Sequence, residues 1–157
     1  MDDLVEAWNR ERSDLDLAPV EVFSRISRLA RLLDKARREA FTAHRVEPWE
    51  FDVLSALRRA GRPYQLTPGA LLRETMVTSG TMTNRVDRLA HRGFVERLPD
   101  PKDRRGVLVR LSGTGKKAVD GAFETLLASE RELLADLSQD DRRDLADLLR
   151  RLMQPLR

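Results

Sequence analysis

Between Thr67 and Leu111 the spacing of apolar residues switches from a helical period to strict alternation, and that switch narrows the folds open to this chain. Thr67 and Pro68 form a cap followed by a first-turn residue, the start signal of a short helix around Ala70 to Thr75. "MVTSG" interrupts it, and a second helix runs through "TMTNRVDRLAHR" until Gly93 closes it. After Gly93, "FVERL" and "VLVRL" read as two strands, with "PDPKDRRG" between them as a hairpin loop. Two short helices joined by a tight turn, the second studded with hydroxyl, amide and guanidinium groups, carry a helix-turn-helix signature.

The flanking sequence is helical. Leu4, Val5 and Trp8 share a face of a short first helix, which gives way at "SDLDLAP". A long helix runs from Pro19 towards His44, with Val22, Ile26, Leu29, Leu33, Ala36 and Ala40 on one stripe. Pro48 opens another helix carrying Phe51, Leu54 and Leu57, stopped by Gly61; "GRPYQ" is expected to be loop. Two last helices follow, one from near Thr114 with leucines out to Leu137, the other capped near Ser138. The expected architecture is mostly α with one small β-hairpin.

Charge is unevenly placed. Residues 1–19 carry six acids against two bases, and residues 73–117 carry eleven bases against five acids. A basic middle behind an acidic start suits a localised surface for a polyanion, although alternating charges also solvate ordinary helix faces. Zero cysteines exclude a disulfide framework, a thiolate metal site and a cysteine nucleophile. No apolar run reaches membrane-spanning length and the acidic, amphipathic start is not a signal peptide, so a cytoplasmic protein with no membrane partner is expected.

At about 100° per residue, Met82, Val86 and Leu89 form the inward stripe of the second helix, and Gly80, Thr81, Asn84, Arg88 and His91 lie opposite. Short donors and acceptors near the N-terminus with a long cation further on suit reading of base edges and gripping of phosphates in a major groove. An exposed polar face is also what any surface helix has; the adjoining basic hairpin favours double-stranded DNA as the partner. Lys102, Arg104 and Arg105 crowd the expected hairpin tip, where arginine suits a narrow minor groove, with Asp103 as an internal brace. Arg85 lies only about 60° from Met82 on the helical wheel, so it flanks the interior and calls for an acidic partner.

"DRLAHRGFVERLPDPKDRRGVLVRLSGTGK" resembles the MarR family of bacterial winged-helix transcription regulators, through its "DPKDRR" wing followed by a "VxLSxxG" strand-to-helix transition. The resemblance spans roughly Pro19 to the C-terminus. It implies a homodimer built from the first long helix and the last two, carrying two winged lobes on a pseudo-palindromic operator. It places Ser79, Thr81, Thr83, Asn84 and Arg88 on the recognition helix and Arg104 and Arg105 on the wing tip. The implied organisation is an extra N-terminal helix and linker over residues 1–18, a dimerisation helix over 19–46, the winged lobe over 47–112 and C-terminal dimerisation helices over 113–157. The leucine stripes of the C-terminal helices, wider than one small lobe covers, favour the dimer independently over the alternative that these helices fold back on their own lobe.

"EAWNRERSDLDLAPVEVFSRISRLARLL" is similar to the branch of the family with an extra first helix, which includes urate-responsive regulators. That resemblance implies a ligand site of Trp8, Asp52, Arg85 and Arg97 for a small planar anionic effector, urate or a similar metabolite. Arg97 binds the anionic oxygen, Trp8 covers the ring, and Asp52 holds Arg85 in the DNA-bound state until the ligand repels it. "ERSDLD" departs from the branch, which more often has proline where Ser13 stands. The same four residues also fit ordinary core and salt-bridge roles.

Catalysis is not expected. "SGTGKK" lacks the first glycine of a phosphate-binding loop, where Arg110 stands, and Lys117 follows its lysine instead of a hydroxyl residue. His44 and His91 have no ligand-spaced companions, so no metal and no cofactor are expected. A DNA-binding protein without an effector, or a winged protein-interaction module, remain the alternatives to a ligand-responsive repressor.

Overall fold

The computed structural model describes residues 2–75 and 77–156, except for the side chains of Asp2, Arg104, Arg105 and Leu156. Seven α-helices and three strands are found among these residues. They are α1 (Asp2–Glu11), α2 (Ala18–Thr42), α3 (Pro48–Arg59), β1 (Gln65–Leu66), α4 (Pro68–Thr75), α5 (Ser79–His91), β2 (Val95–Asp100), β3 (Asp103–Leu111), α6 (Gly113–Leu133) and α7 (Gln139–Met153), closed by a 3-10 turn at Gln154–Leu156. The chain is mostly α with a small antiparallel sheet, as its sequence pattern requires. It divides into two compact units, residues 1–39 and 40–157.

The first unit holds α1 and most of α2. Asp16 caps the start of α2 by accepting the Ala18 N–H at 3.0 Å, and Arg12 grips Asp14 through two hydrogen bonds of 2.8 and 2.7 Å. Of the expected α2 stripe, Val22 and Leu29 are exposed, Ile26, Leu33 and Ala36 half-buried and Ala40 buried; Phe23 and Leu32, outside that stripe, are exposed as well.

The second unit contains the core. Phe41 stacks on Phe51 at 4.2 Å, and around them pack Leu54, Leu57, Leu71, Met82, Val86, Leu89, Phe94, Val109, Leu111, Val119 and Leu126. Phe41 and Leu57 are fully buried, and the inward stripe of α5 is buried as its helical wheel requires. Gly93 ends α5 with φ of 70°, a left-handed turn that suits a residue without Cβ, and the Phe94 N–H returns to the Leu89 carbonyl at 2.9 Å. Ser112 then closes the unit: its hydroxyl donates to the Gly93 carbonyl at 2.7 Å and accepts from Gly115 N–H at 3.0 Å, capping α6.

Three local expectations change. "GRPYQ" is not all loop: Gln65 and Leu66 pair with Arg110 and Val109, giving a sheet ordered β1-β3-β2. The Gln65 side-chain oxygen accepts from the Arg110 guanidinium at 3.0 and 2.9 Å, a tie that two residues of strand periodicity cannot announce. The ribbon is longer and its loop shorter than the prolines suggest, because Asp100 pairs directly with Asp103 and only Pro101 and Lys102 turn. Arg104 and Arg105 therefore belong to the backbone of β3, not to the turn. The first of the two last helices ends at Leu133, before Leu134 and Leu137.

Candidate nucleic-acid interface

The helix α5 offers one continuous polar face. Ser79, Thr81, Thr83, Asn84 and Arg88 are exposed on it, while Met82, Val86 and Leu89 anchor it to the core. Its first turn is internally arranged: the Thr78 and Thr81 hydroxyls lie 2.9 Å apart, and the Thr83 hydroxyl donates to the Ser79 carbonyl at 3.3 Å. Thr83 thus spends its proton on the backbone and keeps its hydroxyl oxygen as an acceptor. Asn84 presents both a donor and an acceptor, the pairing that matches an adenine edge.

Different neighbours hold the two flanks of α5. On one, Arg97 from β2 reaches Asp87 at 2.6 Å, tying the ribbon to the helix. On the other, Arg85 and Arg88 lie over the ring of Trp49 in the first turn of α3, at 5.6 and 4.7 Å from its centroid. Trp49 escapes a reading by periodicity, because its contacts are with a helix more than thirty residues away. An aromatic beside the first-turn proline is the only local signal.

The ribbon tip exposes Lys102, whose N–H bonds the Asp100 carboxylate at 2.9 Å. Gly106 packs close behind: a Cβ there would sit 2.9 Å from that of Asp100 and 3.1 Å from that of Asp103. The side chains of Arg104 and Arg105 lie outside the described residues.

Two ion-pair systems fix the support. Glu50, buried in α3, bonds Arg92 just beyond α5, and Arg92 also donates to the Arg45 carbonyl at 2.6 Å and lies over Phe94. Asp120 of α6 accepts from Arg58 at 2.8 Å and Lys116 at 2.7 Å. Burial pushes the Asp120 carboxyl up, but the hydrogen bonds from Lys116 and Arg58 outweigh it and hold it below the ordinary aspartate range.

The structure separates Arg85 from Arg97: they occupy opposite flanks of α5, one over Trp49 and the other on Asp87. Asp52 is exposed on α3, and Trp8 is exposed on α1 in the first unit. Among the described residues no cluster of three His, Asp or Glu is placed to hold a metal, and no helix is long and apolar enough to cross a membrane.

A family model described as MarR family matches residues 46–106, which span α3 to the middle of β3. The chain is 34% identical over 154 residues to the HTH-type transcriptional regulator PecS of Dickeya dadantii, covering 98% of this chain and 93% of that one. It is 32% identical over 142 residues to the multiple antibiotic resistance protein MarR of Escherichia coli, covering 85% and 96%. Among solved structures, a mutant of Escherichia coli MarR complexed with operator DNA superposes with a TM-score of 0.72 at 28% identity, over 93% of this chain and 97% of that one. A MarR family protein from Bacillus stearothermophilus does so with a TM-score of 0.75 at 25% identity, over 90% and 98%.

Proposed function

From the premise that this chain belongs to the MarR family of DNA-binding transcriptional regulators, and is not an enzyme, we propose that it is a homodimeric repressor of a pseudo-palindromic operator. One observation carries the reading: an exposed polar face on α5, anchored by buried Met82, Val86 and Leu89 and tied by Asp87 to the Arg97 of the wing. Thr81, Asn84 and Arg88 meet base edges and the groove wall, Ser79 and Thr83 support them, and Lys102, Arg104 and Arg105 carry charge into the neighbouring groove.

Release is by a small planar anion, urate or a relative, at a site that includes Arg97. An anion there competes with Asp87 for the same guanidinium and so loosens the wing from α5. Arg85 stands on the other flank of α5, over Trp49, and takes no part in that site.

The test is fluorescence anisotropy with a duplex from upstream of the protein's own coding region. Wild type binds with steep salt dependence, Arg88→Ala binds at least tenfold more weakly, and urate dissociates the complex. Absence of a complex at low salt refutes the DNA reading. No thermal stabilisation by urate, salicylate or xanthines refutes the effector, and a stabilisation that survives Arg97→Ala moves its site elsewhere.

A further inference from the structure

The flank of α5 that faces α3 is built as a receptacle. Trp49, Thr81, Asn84, Arg85 and Arg88 line one open depression, and none of these five is acidic. Arg85 and Arg88 stand three residues apart on the helix, and the ring of one tryptophan lies beneath both guanidiniums. Two cations so placed repel each other; the negative face of the indole offsets part of that repulsion and holds both side chains in a narrow range of rotamers.

Such an arrangement suits an anion that takes donors from several directions. Two guanidinium-bearing residues, Arg85 and Arg88, line the depression together with Asn84 and Thr81, all of them capable of donating hydrogen bonds. A base edge is planar and sits at the middle of a groove, opposite the centre of an inserted helix face. Arg88 and Arg85 lie roughly 120° and 60° from the buried Met82, on the side of the helix that meets the groove wall. That wall is sugar and phosphate.

We infer that Trp49, Arg85 and Arg88 form a seat for one backbone phosphate of duplex DNA, with Trp49 as the positioning residue that holds both guanidiniums ready. The inference rests on the reading of α5 as the recognition helix. It assigns Arg85 a role in DNA affinity, and it brings α3 into the interface as a third contributing element.

Salt titrations on the full chain test it. Anisotropy is measured for two labelled duplexes of equal length, the upstream region and an unrelated sequence, across a series of salt concentrations. Arg85→Gln is expected to weaken both duplexes by a similar factor, about tenfold at moderate salt, and to lower the slope of log affinity against log salt by about one unit per protomer. Trp49→Leu weakens binding in the same sequence-independent way and Trp49→Phe restores most of it, because phenylalanine keeps a ring face. In a Trp8→Phe background, where Trp49 is the sole tryptophan, its emission changes on addition of either duplex.

Arg85→Gln alone decides the matter if Trp49→Leu fails to fold. An unchanged salt slope in Arg85→Gln, with wild type binding DNA, overturns the phosphate seat and leaves the DNA reading standing. Loss confined to the upstream duplex also overturns it, since that is base reading. No binding of either duplex by wild type overturns both.

Discussion

Glu50 illustrates what a single residue does in this protein. Its carboxylate accepts the Glu47 N–H at 2.9 Å, closing the first turn of α3, and also pairs with Arg92. With 1% of its surface exposed, Glu50 has no water to replace a lost partner. Arg92→Met should therefore cost about 3 kcal/mol, the range for stranding a buried charge, measured as a shift in urea midpoint. Arg92→Met combined with Glu50→Met should recover much of that loss; a double variant no more stable than the single one would show that packing of Arg92 on Phe94, not charge, is the source. An acid in a first helical turn is ordinary in sequence terms. That it meets an arginine 42 residues away belongs to the fold.

Elements are joined by a few side chains at their crossings. Arg58 of α3 and Lys116 of α6 both bind Asp120, which titrates below its ordinary value of 3.8. A carboxyl depressed in the folded state adds stability that is fully present above its unfolded value and is lost as pH falls through the folded one. Stability should thus decline as pH drops below about 4, and Asp120→Asn should flatten that decline while lowering stability near neutrality. Urea midpoints across a pH series check this; identical profiles for variant and wild type would place the acid sensitivity elsewhere. A second crossing is steric. A Cβ on Gly115 would lie 2.1 Å from the Phe94 carbonyl oxygen, so α6 can start against the end of α5 only with glycine there. Gly115→Ala should lose on the order of 3 kcal/mol, seen as a lowered thermal midpoint.

At the scale of the whole molecule the C-terminal helix stands out. No residue of α7 is buried, yet Leu145, Leu148, Leu149, Leu152 and Met153 recur on one face at helical spacing. Burial of such a stripe is favourable, and in the proposed homodimer a two-fold contact with a second copy is the simplest cover. The exposed α2 residues Val22, Phe23, Leu29 and Leu32 make the same demand. If the proposed dimer is built this way, Leu148→Glu with Leu149→Glu should shift the protein from dimer to monomer in sedimentation velocity and weaken operator binding by about two orders of magnitude or more, because two half-sites then bind independently. Sedimentation of the variant as wild type would remove α7 from the interface.

Much of the fold is legible in the sequence. Helix starts at Pro48, Pro68 and Ser138, the stop at Gly93 and the buried stripe of Met82, Val86 and Leu89 follow from capping, backbone freedom and apolar period. These act over a few residues, so the chain states them locally, and the polar face of α5 follows as their complement. The extent of the wing and the strand at Gln65 did not follow, because backbone pairing with β3 overrode the prolines and was too short to show a period. Arginine partners were hidden for a different reason. Arg85, Arg92 and Arg97 are long, flexible and surrounded in sequence by several acids, and exposed pairings differ by only about 1 kcal/mol. Tertiary proximity alone settled Arg97 on Asp87, Arg92 on Glu50 and Arg85 beside Arg88 on Trp49.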